Sequence, residues 1–283
     1  MQSKQERALA VGVGLTGVAR RAGVTAERAA EEERESLEEL AVLAESAGAA
    51  VVDRILQMRP TLDAATLVGS GKVAEIEARA ANGAFRQVIV SPRTAEPLGR
   101  RRYWPIFAAA QAAGLPVGLH PAGASGGYPS TGSGWPTYYM QEHYSFETGM
   151  QGVLASLVFE GVFEQFPDLR VCLIESGFTW VPALCWRMDK QWQRYRAEVP
   201  HLTRPPSEYV RAHVWFATQP IEEPENPAHL TDIIDWLGWD RLVFSTDYPH
   251  WDFDDPRYTF KINLNEAQRA QIFRDNAKAL YRV

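Results

Sequence analysis

Apolar runs that end in polar residues recur along the chain from residue 85 onward. They lie at residues 87–91, 115–120, 169–175, 214–219 and 242–247. Stretches of helical character separate them, at residues 103–113, 153–165 and 231–237. Strand and helix units with polar residues at each strand's carboxyl end are typical of a (β/α)8 barrel, because the active site of that fold gathers there. The pattern therefore predicts an α/β, TIM-barrel-like fold, with a doubly wound sheet as the competing architecture.

The first part of the chain has a strand and helix pattern of its own. It predicts a strand at residues 7–13, a helix from a cap at Ser36 to Gly48, and a second strand at residues 50–56. The helix is indicated by apolar residues at helical spacing, which are Leu37, Leu40, Val42, Leu43 and Ala47. Strand, helix, strand order is that of a parallel sheet.

Composition separates this first part from the remainder. Residues 1–83 contain no Trp, Tyr, Phe or His, whereas all 9 Trp, 10 Tyr and 12 Phe follow them. So abrupt a change predicts two segments of different origin, 1–81 and 82–283.

Charge and cysteine usage restrict the classes of protein to which the chain can belong. A formal net charge of -6 over 283 residues gives no overall positive charge that would attract nucleic acid. The basic run Arg100, Arg101 and Arg102 is interpreted as a solvated helix start rather than an anion site. Cys172 and Cys185 form no Cys-x-x-Cys motif, which favours a reducing, cytoplasmic compartment. The N-terminus lacks an apolar signal core, and no stretch approaches the ~20 apolar residues that span a bilayer.

Residue types that bind metals stand at three strand ends. His120 closes the run 115–120, and Glu175 and Asp247 close two later runs. A carboxylate in such a place must be paired, coordinated or hydrogen-bonded to stay ionised. Three strand ends that aim His, Glu and Asp at one point predict a site for a divalent cation such as zinc or manganese.

Other polar and aromatic residues have two interpretations each. His250 could orient Asp247 or bind substrate, and His143 could act as an acid/base or cap a helix. Aromatic side chains could wall a substrate site or serve ordinary packing. The candidates for substrate binding are Trp135, Tyr138, Trp180 and Trp251.

Eight stretches of the aromatic-rich segment match one enzyme family in the expected order. They lie at residues 85–90, 93–99, 103–106, 114–121, 163–171, 175–180, 204–209 and 245–252. With them the segment resembles the amidohydrolase-2 family, metal-dependent barrel enzymes related to aminocarboxymuconate-semialdehyde decarboxylase. The resemblance implies that His120 is a metal or substrate histidine and that Asp247 is both ligand and proton acceptor.

The chain departs from that family's pattern in two places. Many members carry histidine where Glu175 stands. The family's opening His-x-His or Asp-x-His motif on the first strand has no counterpart, because no histidine precedes His120. The metal site is therefore expected to lack first-strand ligands.

Residues 6–13, 36–48 and 65–73 are similar to another family, the N-terminal domain of HflX-type GTPases. The last of these stretches predicts an apolar run and a helix that begins after Lys72. Val73 stands where a Walker A loop needs Ser or Thr, so a helix N-terminus is favoured there over nucleotide binding. The first segment is expected to complete or cap the barrel without supplying metal ligands.

These observations predict a metal-dependent hydrolase or non-oxidative decarboxylase that acts on a small carboxylated or aromatic substrate. Its catalytic residues would be Asp247, His143 and His250, and its metal ligands His120, Glu175 and Asp247. Two alternatives stay open, a catalytically silent barrel and a nucleotide- or ribosome-associated module. A homo-oligomer is also left open.

Overall fold

The computed structural model describes residues 7–15, 25–46, 50–59, 85–92, 94, 96–121 and 134–283. Its strands are β1 (Arg7–Leu15), β2 (Ala50–Arg59), β3 (Val88–Val90), β4 (Val117–Leu119), β5 (Val171–Leu173), β6 (Val214–Ala217) and β7 (Leu242–Val243). Its α-helices are α1 (Ala26–Ser46), α2 (Trp104–Ala112), α3 (Tyr139–Phe159), α4 (Val162–Gln165), α5 (Val181–Tyr195), α6 (Pro206–His213), α7 (Ala228–Leu237), α8 (Glu266–Ala270) and α9 (Asn276–Tyr281). A π-helical turn, Gln271–Asp275, joins the last two.

The larger sheet contains five parallel strands in the order β3-β4-β5-β6-β7. Each strand lies within one of the predicted apolar runs, so the expected α/β fold with a parallel sheet is confirmed. Strand order follows chain order and does not reverse among the described strands. A doubly wound sheet requires such a reversal, so this sheet has the arrangement of an arc of a barrel.

Alternate residues of these strands pack into two different apolar clusters. Val171 and Leu173 of β5 join the main core, in which they meet helical residues such as Leu157, whereas Cys172 between them joins a smaller cluster with Leu280 of α9. This is the alternation expected of a strand whose two faces are both covered. Strands β5, β6 and β7 are therefore covered on one face by helices of the main core and on the other by the C-terminal helix.

The C-terminal helix α9 also contacts both edges of this sheet. The Tyr281 hydroxyl donates to Gln87 Oε1, just before β3, at 3.1 Å. The Asn276 side-chain amide donates to the carbonyl oxygen of Leu242 in β7 at 2.8 Å. The first and last strands of the sheet are thus joined through a single helix.

The prediction of one helix at residues 153–165 is wrong in two respects: the helix starts earlier, and a break divides it in two. Helix α3 begins at Tyr139, where Tyr138 and Gln141 form a reciprocal capping pair. It ends at Phe159, and Gly161, with a φ of 82°, separates it from α4. A left-handed residue cannot continue an α-helix, so glycine marks the break.

The smaller sheet pairs β1 with β2 in parallel, and α1 lies between them in the chain. The predicted strand, helix, strand order is therefore confirmed. The helix begins at Ala26, ten residues before the predicted cap at Ser36. Thr25 Oγ1 accepts the backbone N–H of Arg28 at 3.3 Å there, and Leu37 and Ala41 are among the buried residues of the helix.

The expectation that the first segment completes the barrel is not met by strand pairing. Among the described strands, β1 and β2 pair only with each other. The predicted run at residues 65–68 and the helix after Lys72 lie outside the described residues. Within the described ranges, every helix is too short or too polar to cross a membrane.

Candidate metal centre

Three predicted site residues come together at the carboxyl end of the larger sheet. His120 directly follows β4, and Glu175 and Asp247 come two and four residues after β5 and β7. His120 Nε2 lies 3.2 Å from Glu175 Oε2. Because the strands are parallel, their carboxyl ends share one edge of the sheet, and residues far apart in sequence meet there.

His250 joins this group through the turn that follows Asp247. Its Nδ1 lies 2.8 Å from Asp247 Oδ2, and its backbone N–H donates to the carbonyl oxygen of Asp247 at 2.9 Å. One ligand atom each of Glu175, Asp247 and His250 lies within 4.8 Å of the others. These three residues and His120 are called the donor cluster below.

Both carboxylates of the donor cluster are held by left-handed backbone. Glu175 has a φ of 53° and Asp247 a φ of 58°, and Arg282 is the third such non-glycine residue in the described part of the chain. This conformation costs on the order of 1 kcal/mol or more for a residue with a Cβ. Such strain persists where the surroundings determine the conformation, and it concentrates at functional sites.

The donor cluster crowds buried carboxyl groups together. Burial, together with the nearby carboxylates of Asp247 and Asp252, raises the pKa of Glu175 to about 8. Burial also lowers the pKa of His120, against the opposite effect of Asp247. The protein thus places acidic groups together where they ionise fully only beside a positive charge.

A second polar group lies beside the donor cluster. His143 Nε2, on the second turn of α3, lies 3.0 Å from Asp252 Oδ2. The Gln219 side-chain amide donates to the same oxygen at 3.2 Å. Gln219 is itself held at the end of β6, where its backbone N–H donates to Ser245 Oγ at 3.2 Å. Asp252 therefore orients the imidazole of His143 and is itself oriented by Gln219.

Asp252, Gln219 and Asp254 lie at the site but are not among the residues selected from the sequence. Asp254 accepts the backbone N–H of Ile221 at 3.2 Å, and burial raises its pKa to about 6. One signal was available, since Gln219 ends the apolar run 214–219 as Glu175 ends its own run. The two aspartates come after the last run, where no strand pattern assigns a direction to their side chains.

The four aromatic candidates lie in three different environments. Trp251 is exposed, but its indole N–H donates to the Tyr139 hydroxyl at 3.3 Å, and its ring centroid lies 5.5 Å from that of His143. Trp135 and Tyr138 are exposed near the start of α3. Trp180 is buried in the main core. Trp251 is thus the candidate that the structure links to His143, and substrate binding by all four stays a prediction.

Glu175, Asp247 and His250 are close enough together to hold a divalent cation, and His120 lies beside them, 3.2 Å from Glu175. Carboxylates and imidazoles are ligands that manganese and zinc both accept. Neighbouring ligands of an octahedral ion with bond lengths of about 2.1 Å lie roughly 3 Å apart. The contacts of 2.8 and 3.2 Å within the cluster match that separation.

Comparison with known proteins found a matching family model and similar enzymes. A family model described as amidohydrolase matches residues 13–283. A gamma-resorcylate decarboxylase from Polaromonas sp. (strain JS666 / ATCC BAA-500) is 28% identical over 201 residues, which are 68% of this chain and 58% of the relative. The chain therefore spans somewhat more than half the length of that curated relative.

Two solved structures show the same fold. An amidohydrolase from Mycobacterium avium subsp. paratuberculosis K-10 superposes with a TM-score of 0.62 at 25% identity, over 80% of this chain and 58% of that one. A dihydroxybenzoic acid decarboxylase from Polaromonas sp. JS666, with bound manganese and the inhibitor 2-nitroresorcinol, superposes with a TM-score of 0.52 at 19% identity, over 99% of this chain and 97% of that one.

The comparisons also bear on two narrower expectations. None of them supports the similarity to HflX-type GTPases, and the match to the amidohydrolase family already begins at residue 13. None supports zinc in particular, whereas manganese is the ion bound in the Polaromonas structure. A divalent metal in the homologous enzymes is therefore supported, and its identity in this chain stays open.

Proposed function

The chain belongs to the amidohydrolase family, and from that premise we propose that it is a metal-dependent, non-oxidative decarboxylase of small hydroxylated aromatic acids. The observation that carries the proposal is the grouping of Glu175 and Asp247 with His250 at one edge of the parallel sheet, with His120 at 3.2 Å from Glu175. The curated relative contributes the substrate class, because its name specifies decarboxylation of gamma-resorcylate.

His120, Glu175 and Asp247 would hold a divalent cation, with manganese favoured by the Polaromonas structure. When bound, the cation would supply positive charge that stabilises the negative charge of an aromatic acid. The same charge would allow Glu175 to stay ionised although burial raises its pKa to about 8.

Decarboxylation breaks the bond between the ring carbon and the carboxyl carbon. Carbon dioxide leaves, the bonding electron pair stays on the ring carbon, and that carbon takes up a proton. Asp247 is the group we assign to this proton transfer, because it lies at the mouth of the sheet beside the other donors, 2.8 Å from His250 Nδ1. His143, held by Asp252 at 3.0 Å, would act on a substrate hydroxyl as acid or base.

The aromatic side chains near His143 suit a planar substrate. Trp251 and Tyr139 are linked by a hydrogen bond of 3.3 Å, and their ring centroids lie 6.5 Å apart. Aromatic rings of this kind attract a substrate ring by offset or edge-to-face contact, worth roughly 0.5–1.5 kcal/mol per pair beyond area burial. We therefore place the ring of the substrate between Trp251 and the donor cluster.

The test is turnover of gamma-resorcylate by the purified, manganese-loaded chain, followed by chromatography of the product and release of carbon dioxide. We expect Asp247→Asn to lower kcat by roughly 100- to 10,000-fold, which is the usual contribution of a positioned acid or base. His201→Gln is a matched control, because His201 is exposed and contacts the carbonyl oxygen of Phe159. A folded, metal-loaded chain that hydrolyses amides or lactones and leaves aromatic acids intact would contradict the proposal in favour of the hydrolase alternative.

A catalytically silent barrel is the second candidate. It is favoured by one observation, namely that residues 1–119 contain no histidine and so supply no imidazole to the centre. Elemental analysis of freshly purified protein separates the two, because a silent barrel holds no stoichiometric metal. The division into segments 1–81 and 82–283 and the nucleotide- or ribosome-associated alternative stay predictions.

A further inference from the structure

Only some of the histidines of the chain lie close enough to the centre to bind a metal ion there. The chain has 6 histidines. His201 and His213 bind backbone carbonyl oxygens elsewhere, and His229 is exposed on α7. The remaining three, His120, His143 and His250, lie at or beside the donor cluster.

These three histidines have different neighbours. His143 is oriented by Asp252 and lies among the rings of Tyr139, Phe146 and Trp251. His120 contacts Glu175. His250 contacts Asp247, and it is the histidine whose ring nitrogen falls within 4.8 Å of ligand atoms of both carboxylates.

We propose that His250 is a direct ligand of the metal ion and closes the coordination that His120, Glu175 and Asp247 leave incomplete. The inference rests on the proposed metal centre and assigns to it one further donor. Its chemistry is that of a divalent cation bound by two carboxylates and two imidazoles.

The geometry of the turn supports a direct bond. The backbone N–H of His250 donates to the carbonyl oxygen of Asp247, so the two side chains leave the same tight turn. Their nearest polar atoms lie 2.8 Å apart, which is close to the separation of two neighbouring ligands on one ion. The contact between His120 Nε2 and Glu175 Oε2 has a similar length, 3.2 Å. The cluster therefore consists of two imidazole–carboxylate pairs.

The competing role for His250 is that of a positioning residue. In that role its ring N–H would donate to Asp247, and neither ring nitrogen would touch the ion. The two roles differ in a property that does not depend on activity, which is the number of imidazole nitrogens bound to the metal.

The experiment is a manganese titration of the full chain, followed by electron paramagnetic resonance, with electron spin echo spectroscopy to count nitrogen couplings. We expect two histidine nitrogens in the wild-type protein and one in His250→Asn, with manganese affinity lowered roughly 100-fold or more. His250→Asp should recover much of the affinity through an oxygen ligand while still showing one nitrogen. His201→Gln is the control and should match the wild type.

The outcomes separate this assignment from the proposed function. If His250→Asn binds manganese as tightly as the wild type and keeps both nitrogen couplings, His250 is not a ligand although the centre exists. If the folded wild-type chain binds no manganese, the centre itself is wrong and the assignment falls with it. His250→Asp guards against loss of the fold, because far-ultraviolet circular dichroism of that variant should equal that of the wild type.

Discussion

Buried polar residues outside the centre show how strongly individual side chains are constrained in this fold. His213 is buried, and its ring stacks on Phe163 with centroids 4.7 Å apart. Its Nδ1 donates to the carbonyl oxygen of Leu169 at 2.9 Å, and its Nε2 accepts from Arg204 at 3.2 Å. Both nitrogens are thus used by the neutral ring, and burial lowers the pKa of His213.

That environment predicts a pH dependence of stability. Because the folded-state pKa lies below the unfolded value of about 6.5, the unfolded chain takes up the proton more readily. The contribution of His213 is therefore present above about pH 6.5 and is lost as the pH falls below it. Urea unfolding at pH 7.5 and pH 5.5 should show a smaller loss of unfolding free energy in His213→Gln than in the wild type, and equal losses would contradict the prediction.

Three residues of the centre were predictable from the sequence because of where they stand relative to the strands. His120, Glu175 and Asp247 end apolar runs, and the ends of parallel strands must meet. Asp252 and Gln219 meet across 33 positions through a side-chain contact that no periodic pattern encodes. Strand pattern therefore predicts which strand ends converge, but not which loop residues reach back to them.

At the scale of elements, the sheet was predictable and the helix boundaries were not. The four strands β4 to β7 are short runs of buried residues, which is a strong signal, and β3 is an apolar run that is only half-buried. Helix α3 begins among residues that resemble an aromatic-rich loop. Tyr138 at the N-cap is not a common capping residue, although Gln141 three positions later is. Helix α1 begins early because the stretch before Ser36 is rich in Ala, Glu and Arg, which favour helix without an apolar stripe.

The C-terminal helix is expected to matter for stability. Leu280 is fully buried and packs with Cys172, Trp215 and Val243 on one face of the sheet. Leu280→Ala should therefore lower the free energy of unfolding by about 2–5 kcal/mol, measured by urea denaturation. The exposed Lys278 on the same helix gives a matched control, and Lys278→Ala should change stability by less than about 0.5 kcal/mol. Equal effects of the two substitutions would contradict the packing described for α9.

At the scale of the whole molecule, the two sheets carry different parts of the architecture. All members of the two apolar clusters of the larger sheet lie between Val88 and Tyr281, and the donor cluster begins at His120. The segment of the smaller sheet supplies no imidazole or thiolate ligand, because it contains neither His nor Cys.

A chain that starts at residue 82 should therefore keep the metal centre. We expect its manganese affinity to stay within about threefold of the full chain, since no donor is removed, and isothermal titration calorimetry can measure it. Near-ultraviolet circular dichroism, which reports the packing of the aromatic residues, should also be retained. Loss of metal binding in a truncated chain with intact aromatic packing would show that the first segment contributes to the centre after all.

At Glu175 and Asp247, a substitution that relieves the left-handed backbone would stabilise the fold but remove a metal ligand. Glycine adopts that conformation at no steric cost and asparagine at a low one, and either would also remove a crowded negative charge. A library screened only for survival at high temperature should accumulate Gly or Asn at these two positions and lose metal in the process. Sequencing the survivors would then map the donor residues without any knowledge of the substrate.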